Sequence, residues 1–260
     1  MWKVFKYTVY DLLRSKWTIF YFGFYAVITS LLLLFSGSLS KTIISLLNVV
    51  VLLGPLVGTL FGVTYYYGAR DFILFLLAQP LPRTHIIAGQ ILGVVASLSA
   101  GLLLGIGLPF LYYGLFASAE IFNFAMLLVT GFFLTAIFTI LAYLIGLAND
   151  HRIKGFGMAI LVWIFMAVIY DGLFLLLLFW FRDYPMEKPA LILSLMNPID
   201  LSRILMLLKL DIAALLGYTG AVFQSFFGTT QGIMISLGSL MAWIIIPLVV
   251  AIRLARRKDF

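Results

Sequence analysis

Residues 155–181 read GFGMAILVWIFMAVIYDGLFLLLLFWF, an unbroken apolar run carrying one charged side chain, Asp171. An α-helix rises about 1.5 Å per residue, so the run is long enough to cross the roughly 30 Å hydrocarbon core of a bilayer. Five further stretches share this character without any charge: residues 17–35, 42–66, 86–112, 122–148 and 231–252. In lipid, backbone polar groups must be satisfied within a helix or a closed barrel, and these runs are too long for barrel strands. The expected fold is all-α: one polytopic membrane domain over residues 1–260 with six transmembrane helices.

Composition supports this reading. Hydrophobic residues make up 64% of the chain and charged ones 10%, with a mean hydropathy of +1.15. Soluble domains carry about 25% charged residues, so the chain cannot enclose its apolar surface in one water-facing globule. The absence of Cys removes disulfides, thiolate chemistry and Cys-bound metals.

Net charge is +7, and its distribution indicates orientation. With both termini in the cytosol, the inner segments hold Lys3, Lys6, Arg14, Lys16, Arg70, Arg83, Arg152, Lys154, Arg253, Arg256, Arg257 and Lys258. The outer segments hold Lys41, Arg182, Lys188, Arg203 and Lys209. Twelve against five follows the positive-inside rule, and six spans return the chain to the side on which it began.

Residues 1–16, MWKVFKYTVYDLLRSK, place Trp2, Phe5, Val9, Leu12 and Leu13 on one helical face, with Lys3, Lys6 and Arg14 largely elsewhere. The pattern predicts a helix lying in the cytoplasmic interface, its cations toward anionic lipid. The spread of these cations differs from the compact basic region of a cleavable signal peptide. Gly54, Gly58 and Gly62 recur every fourth residue in the second span, beside Pro55; the third repeats the spacing in two pairs, Gly89 with Gly93 and Gly101 with Gly105. Small residues at this spacing let helices approach closely in lipid, and Gly54-Pro55 is alternatively a hinge.

Two segments between spans stand out. In residues 70–83, RDFILFLLAQPLPR, a short apolar helical turn is stopped by Pro80 and Pro82. Exposed apolar residues there would await a partner or lie against lipid. Residues 182–230 form the longest outer segment, with helical periodicity from Asp200 to Gly217 through Leu201, Ile204, Leu205, Leu208, Ile212 and Leu215. Such a segment either binds a partner or plugs the bundle.

Chemistry-bearing residues are few. Asp171 is the lone acid at membrane depth, and no basic residue is expected beside it. It lines a polar path, hydrogen-bonds a neighbouring helix while neutral, or pairs across a homodimer. His85 and His151 lie at the cytoplasmic border without a nucleophile or third ligand nearby. Met186, Met196 and Met206 are ten residues apart, too widely spaced for a sequence-local thioether site. The chain has no P-loop, HExxH or GxSxG pattern, so it is read as a non-catalytic subunit with neither metal nor cofactor of its own.

Residues 70–90, RDFILFLLAQPLPRTHIIAGQ, resemble the coupling-helix segment of the ABC-2 type ABC transporter permeases. That segment runs from an acid through paired leucines and a proline to an arginine and a Gly-Lys pair. Asp71 stands near the acid, Leu76-Leu77 at the leucines, Pro80 at the proline and Arg83 at the arginine. The chain departs in having Gln90 for the lysine and one acid instead of a Glu pair. Residues 195–204, LMNPIDLSRI, are similar to the Leu-x-Asn-Pro-x-Asp-x-x-Arg segment of the permeases in nitrous-oxide-reductase maturation systems. The Tyr170-Asp171 pair and the final basic cluster add to that likeness.

The resemblance implies a homodimeric permease of a bacterial or archaeal inner membrane, bound by two cytosolic ATPase subunits that carry the ATP and Mg²⁺. It makes Arg70, Asp71, Phe72, Leu76, Leu77, Gln79, Pro80 and Arg83 the ATPase-coupling residues. Asn197, Pro198, Asp200 and Arg203 become a docking site for a periplasmic repeat protein engaged in copper-site assembly. The alternatives are an ABC-2 exporter of a lipid, glycan or drug, and a membrane scaffold without an ATPase.

Overall fold

The computed structural model describes residues 1–115, 118–181, 187–209 and 229–258, and these contain no β-strand. A short amphipathic helix α1 (Trp2–Arg14) precedes the long helices α2 (Lys16–Ser36) and α3 (Leu39–Gly68). Next come α4 (Arg70–Leu77), α5 (Arg83–Tyr112) and α6 (Ile121–Ala148). The fifth span is continuous from Arg152 to Trp180. It consists of α7 (Arg152–Ile164), a π-helical turn at Phe165–Ile169 and α8 (Tyr170–Trp180). Two shorter helices follow, α9 (Glu187–Met196) and α10 (Pro198–Lys209), before the final α11 (Thr230–Arg257).

Six helices among the described residues are long and apolar enough to cross a membrane. Their ends are set by local chemistry. Gly37, at φ 69°, closes α2 in the left-handed conformation that glycine adopts without strain. The Ser38 hydroxyl then caps α3 by accepting from the Lys41 amide. Three outward and three inward crossings put α1, α4 and the end of α11 at one end of the bundle, here called the base.

α6 forms the centre, with 67% of its most apolar window buried, against 17% for α11 and 6% for the fifth span. The sequence spacing of glycine explains why α3 lies so close to α6. A Cβ on Gly58 would stand 3.0 Å from the Thr135 carbonyl oxygen, and one on Gly62 only 2.6 Å from that of Thr139. On α5, Gly105 admits the Phe22 carbonyl and Tyr25 of α2, while Gly89 and Gly93 admit α1 at Met1, Val4 and Thr8.

The face that α1 turns to the bundle is Val4, Thr8 and Leu12. Trp2 and Leu13 remain exposed, and Phe5 and Val9 are half-buried. The inward face is thus rotated from the apolar set predicted by sequence, because the glycines of α5 accept the smaller side chains at closest approach.

Residues 187–209, part of the segment between the fifth and sixth spans, form two helices. α9 and α10 meet at a 114° bend around Asn197, and together they are long and apolar enough to count as membrane-embedded. Asn197, at the bend, bonds to Met166, about midway along the fifth span. By length and composition the bent pair is a broken span or a re-entrant loop, here called the hairpin. Ile199, Leu201, Leu205 and Met206 are buried. The part of the expected helix beyond Lys209, with Ile212 and Leu215, lies outside the described residues.

Candidate functional site

At the base, eight residues of α4 are enough for two turns with distinct faces. Ile73 and Leu76 point inward, and Leu76 packs with Val4 and Ile86. Leu74 and Phe75 point away from the bundle; Phe75 is 63% exposed, and Leu81 beyond the helix is also exposed. Phe72 is half-buried, stacked on Tyr7 of α1 with ring centroids 4.6 Å apart. Leu77 is half-buried as well, whereas Asp71, Gln79, Pro80 and Arg83 are exposed.

Of the residues singled out by sequence, Leu76 is therefore a packing residue. The outward apolar surface belongs instead to Leu74, Phe75 and Leu81, which the paired-leucine pattern passed over. The helical period alone could have found them, since Phe72, Ile73, Leu76 and Leu77 share the inward half of so short a helix. Asp71 sits in the first turn, where the helix dipole favours an acid. Gln90 is fully buried on α5 and accepts a 2.6 Å hydrogen bond from the Tyr143 hydroxyl. A lysine at that depth would be a buried charge, so a neutral amide suits the place.

Deep in the bundle, the fifth span and the hairpin are joined by a polar clasp. Arg203 donates to Asp171 at 2.7 Å and stands 3.6 Å from Asp200. This corrects the expectation that Asp171 has no basic neighbour: the partner lies 32 residues on, brought to the same depth by the bend. Both Arg203 and Asp171 keep about a third of their side-chain surface exposed, 35% and 30%. A charged pair open to hydrocarbon would be costly.

Asn197 organises the turn of the hairpin. Its side-chain oxygen accepts from the Ile199 amide at 3.1 Å and its carbonyl from the Leu201 amide, the pattern of a helix N-cap. Pro198 occupies the first helical position, where a missing N–H costs nothing. The Asn197 amide group donates to Asp200 at 3.0 Å and to the Met166 carbonyl at 2.8 Å. The π-turn prepares that last acceptor. The Tyr170 amide, which in α-geometry would donate to Met166, reaches Phe165 instead.

Two further bonds fix the hairpin on either side. The Tyr170 hydroxyl donates to the Leu193 carbonyl at 2.8 Å, and the Ser239 hydroxyl of α11 donates to Leu195 at 3.0 Å. Asn197 and Asp200 are buried, Asn197 almost completely, and Pro198 is buried too. In this chain these side chains hold the hairpin in place and only Arg203 shows appreciable surface. Tyr170, Met166 and Ser239 are partners that sequence reasoning missed, because nothing in their local pattern marks them.

His85 and His151 are exposed, and no group of three metal-ligating side chains occurs among the described residues. A cleft of about 1030 Å³ opens at the base among α1, α3 and α4. Asp11, Arg14, Trp17, Phe61, Tyr65 and Arg152 are among the residues that line it.

The chain is similar to two curated relatives, each named "Probable ABC transporter permease protein NosY". That of Pseudomonas aeruginosa is 24% identical over 230 residues, spanning 82% of this chain and 84% of the relative. That of Stutzerimonas stutzeri is 25% identical over 288 aligned positions, spanning 99% and 98%. No protein-family model matches the chain.

Proposed function

We propose that this chain is the membrane permease subunit of an ABC transporter, non-catalytic in itself, with ATP and Mg²⁺ held by a separate cytosolic ATPase. Two such chains and two ATPase subunits form the unit. The base, carrying twelve of the seventeen cations, lies in the cytosol of a bacterial or archaeal inner membrane. Arg203, drawn into the bundle, lowers the outer count further and strengthens the asymmetry.

The observation that carries this reading is the outward face of α4. Leu74, Phe75 and Leu81 present apolar surface at the water boundary, on a helix anchored from behind by Ile73 and Leu76. Surface of this kind on a rigid mount fits a groove in a partner protein. The likeness of residues 195–204 to the permeases of nitrous-oxide-reductase maturation extends the proposal: ATP hydrolysis beneath α4 moves the spans and, through the hairpin, a periplasmic repeat protein taking part in copper-site assembly. Rigid helices carry such motion across a membrane.

The test is purification of the tagged chain in mild detergent from its native membrane, parent beside Phe75→Asp. An ATPase should accompany the parent and be lost from the variant, while membrane insertion is retained. Undiminished co-purification of the ATPase with the variant would remove α4 as its contact. A periplasmic repeat protein in the same complex supports the maturation role. An ATPase without one favours a second reading, an exporter of a lipid, glycan or drug, which the 1030 Å³ cleft at the base recommends. Absence of any ATPase leaves a scaffold.

A further inference from the structure

The loop between α6 and α7 is a junction to which the surroundings of α4 are fastened. At the start of α4, Arg70 donates to the Asp150 carbonyl at 3.2 Å and places a second guanidinium nitrogen 4.0 Å from its carboxylate. Just before α4, the Tyr67 hydroxyl donates to the Asn149 carbonyl at 2.9 Å. Beyond α4, at the start of α5, Arg83 donates to the Lys258 carbonyl at 2.9 Å. Lys258 closes the circle: its ammonium lies 2.8 Å from the Asp150 carboxylate and donates to the Leu147 carbonyl at 2.6 Å. Although it follows the last residue of α11, its side chain is only 13% exposed.

Two elements in this circle lead to the hairpin. Asp150 lies two residues before the fifth span, whose Met166, Tyr170 and Asp171 hold Asn197, the Leu193 carbonyl and Arg203. Lys258 ends α11, whose Ser239 holds Leu195. We propose that Asp150 and Lys258 are positioning residues that lock the base of the fifth and sixth spans to the α4 segment, so that displacement of α4 moves both spans, and the hairpin between them, as one body. Neither residue touches the outward face of α4. The proposal rests on the reading of α4 as the ATPase contact.

The chain contains no cysteine, so a single introduced thiol reports on the hairpin. Ile192 on α9 is 60% exposed and suits Ile192→Cys. In the whole complex with its ATPase, the rate of maleimide labelling at this position is compared with and without ATP and vanadate. The ratio of the two rates is expected to fall by about fivefold in Asp150→Ala and in Lys258→Ala, the lower end of coupling between distant sites. The ATPase should still co-purify with both variants. The conservative variant Lys258→Arg, which keeps the cation, should retain most of the ratio lost in Lys258→Ala.

A parent-like ratio in the alanine variants, an absent ATP response in the parent, or a Lys258→Arg ratio no better than that of Lys258→Ala would overturn the brace. Failure of the underlying reading shows separately, as an ATPase that stays bound to Phe75→Asp.

Discussion

The seam between α3 and α6 and the clasp between the fifth span and the hairpin hold helices together by opposite means. In the seam, Gly58 and Gly62 bring backbones close enough for a Cβ on Gly62 to meet the Thr139 carbonyl at 2.6 Å. Attraction there is dispersion summed over a tight contact, the term that remains once lipid has removed the hydrophobic drive. In the clasp, few residues of the fifth span are buried, and directional bonds replace area. Arg203 to Asp171, Asn197 to Met166 and Tyr170 to Leu193 run across the gap. A seam of the first kind has one good geometry. A clasp of charges and amides keeps its partners through small rotations, which suits the part of the molecule proposed to move.

The contrast can be broken most severely at the seam. Gly62→Leu should destabilise the chain by about 3 kcal/mol, since overpacking here meets backbone that cannot yield. Folded yield and Tm in detergent are the measurements, and wild-type values would show that the two helices separate easily. At the clasp, Arg203→Ala leaves Asp171 without its cation and should cost about 2 kcal/mol, discounted for the partial exposure of both groups. Arg203→Met with Asp171→Met should restore most of that loss, because the penalty lies in an unpaired charge. A double variant as unstable as the single one would mean that the pair itself, beyond charge compensation, holds the hairpin.

Asn197→Ala removes a helix cap and the donor to Met166, for an expected loss of about 1–2 kcal/mol. The smallest effect belongs to the base. The Asp150 carboxyl is held below its ordinary range by the Lys258 hydrogen bond first, then by that cation's charge, with Arg70 and His151 contributing in the same sense. A depressed folded-state pKa gives stability that is present above the unfolded carboxylate pKa and is lost as pH falls through the folded one. Acidification below the ordinary carboxylate range should therefore loosen the base, read as faster hydrogen exchange at residues 149–151. Asp150→Asn should abolish that pH dependence.

Some of this was legible residue by residue. The apolar runs marked the long helices, and glycine spacing marked the faces that pack. Helical periodicity from Asp200 marked a helix, and α10 starts at Pro198. The depth of that start was hidden, because a short apolar helix in a Pro-punctuated segment reads equally as an outer element or an embedded one. The face of α1 was misjudged for a related reason. Periodicity reports which residues are apolar, while Gly89 and Gly93 decided which of them could approach α5.

The sequence by itself determined that this protein is an all-α membrane bundle of six spans, since only helices satisfy backbone groups along such runs in lipid. It also determined that the cations concentrate at one end. Only the tertiary structure decided that Arg203 meets Asp171 and that Lys258 meets Asp150. These pairs are 32 and 108 residues apart, as their numbering shows. Their meeting depends on a 114° bend and on the end of α11 reaching the loop between α6 and α7, neither of which leaves a period in the sequence. Local pattern records the solvent around each segment; which charge finds which is settled by where the packed helices place them.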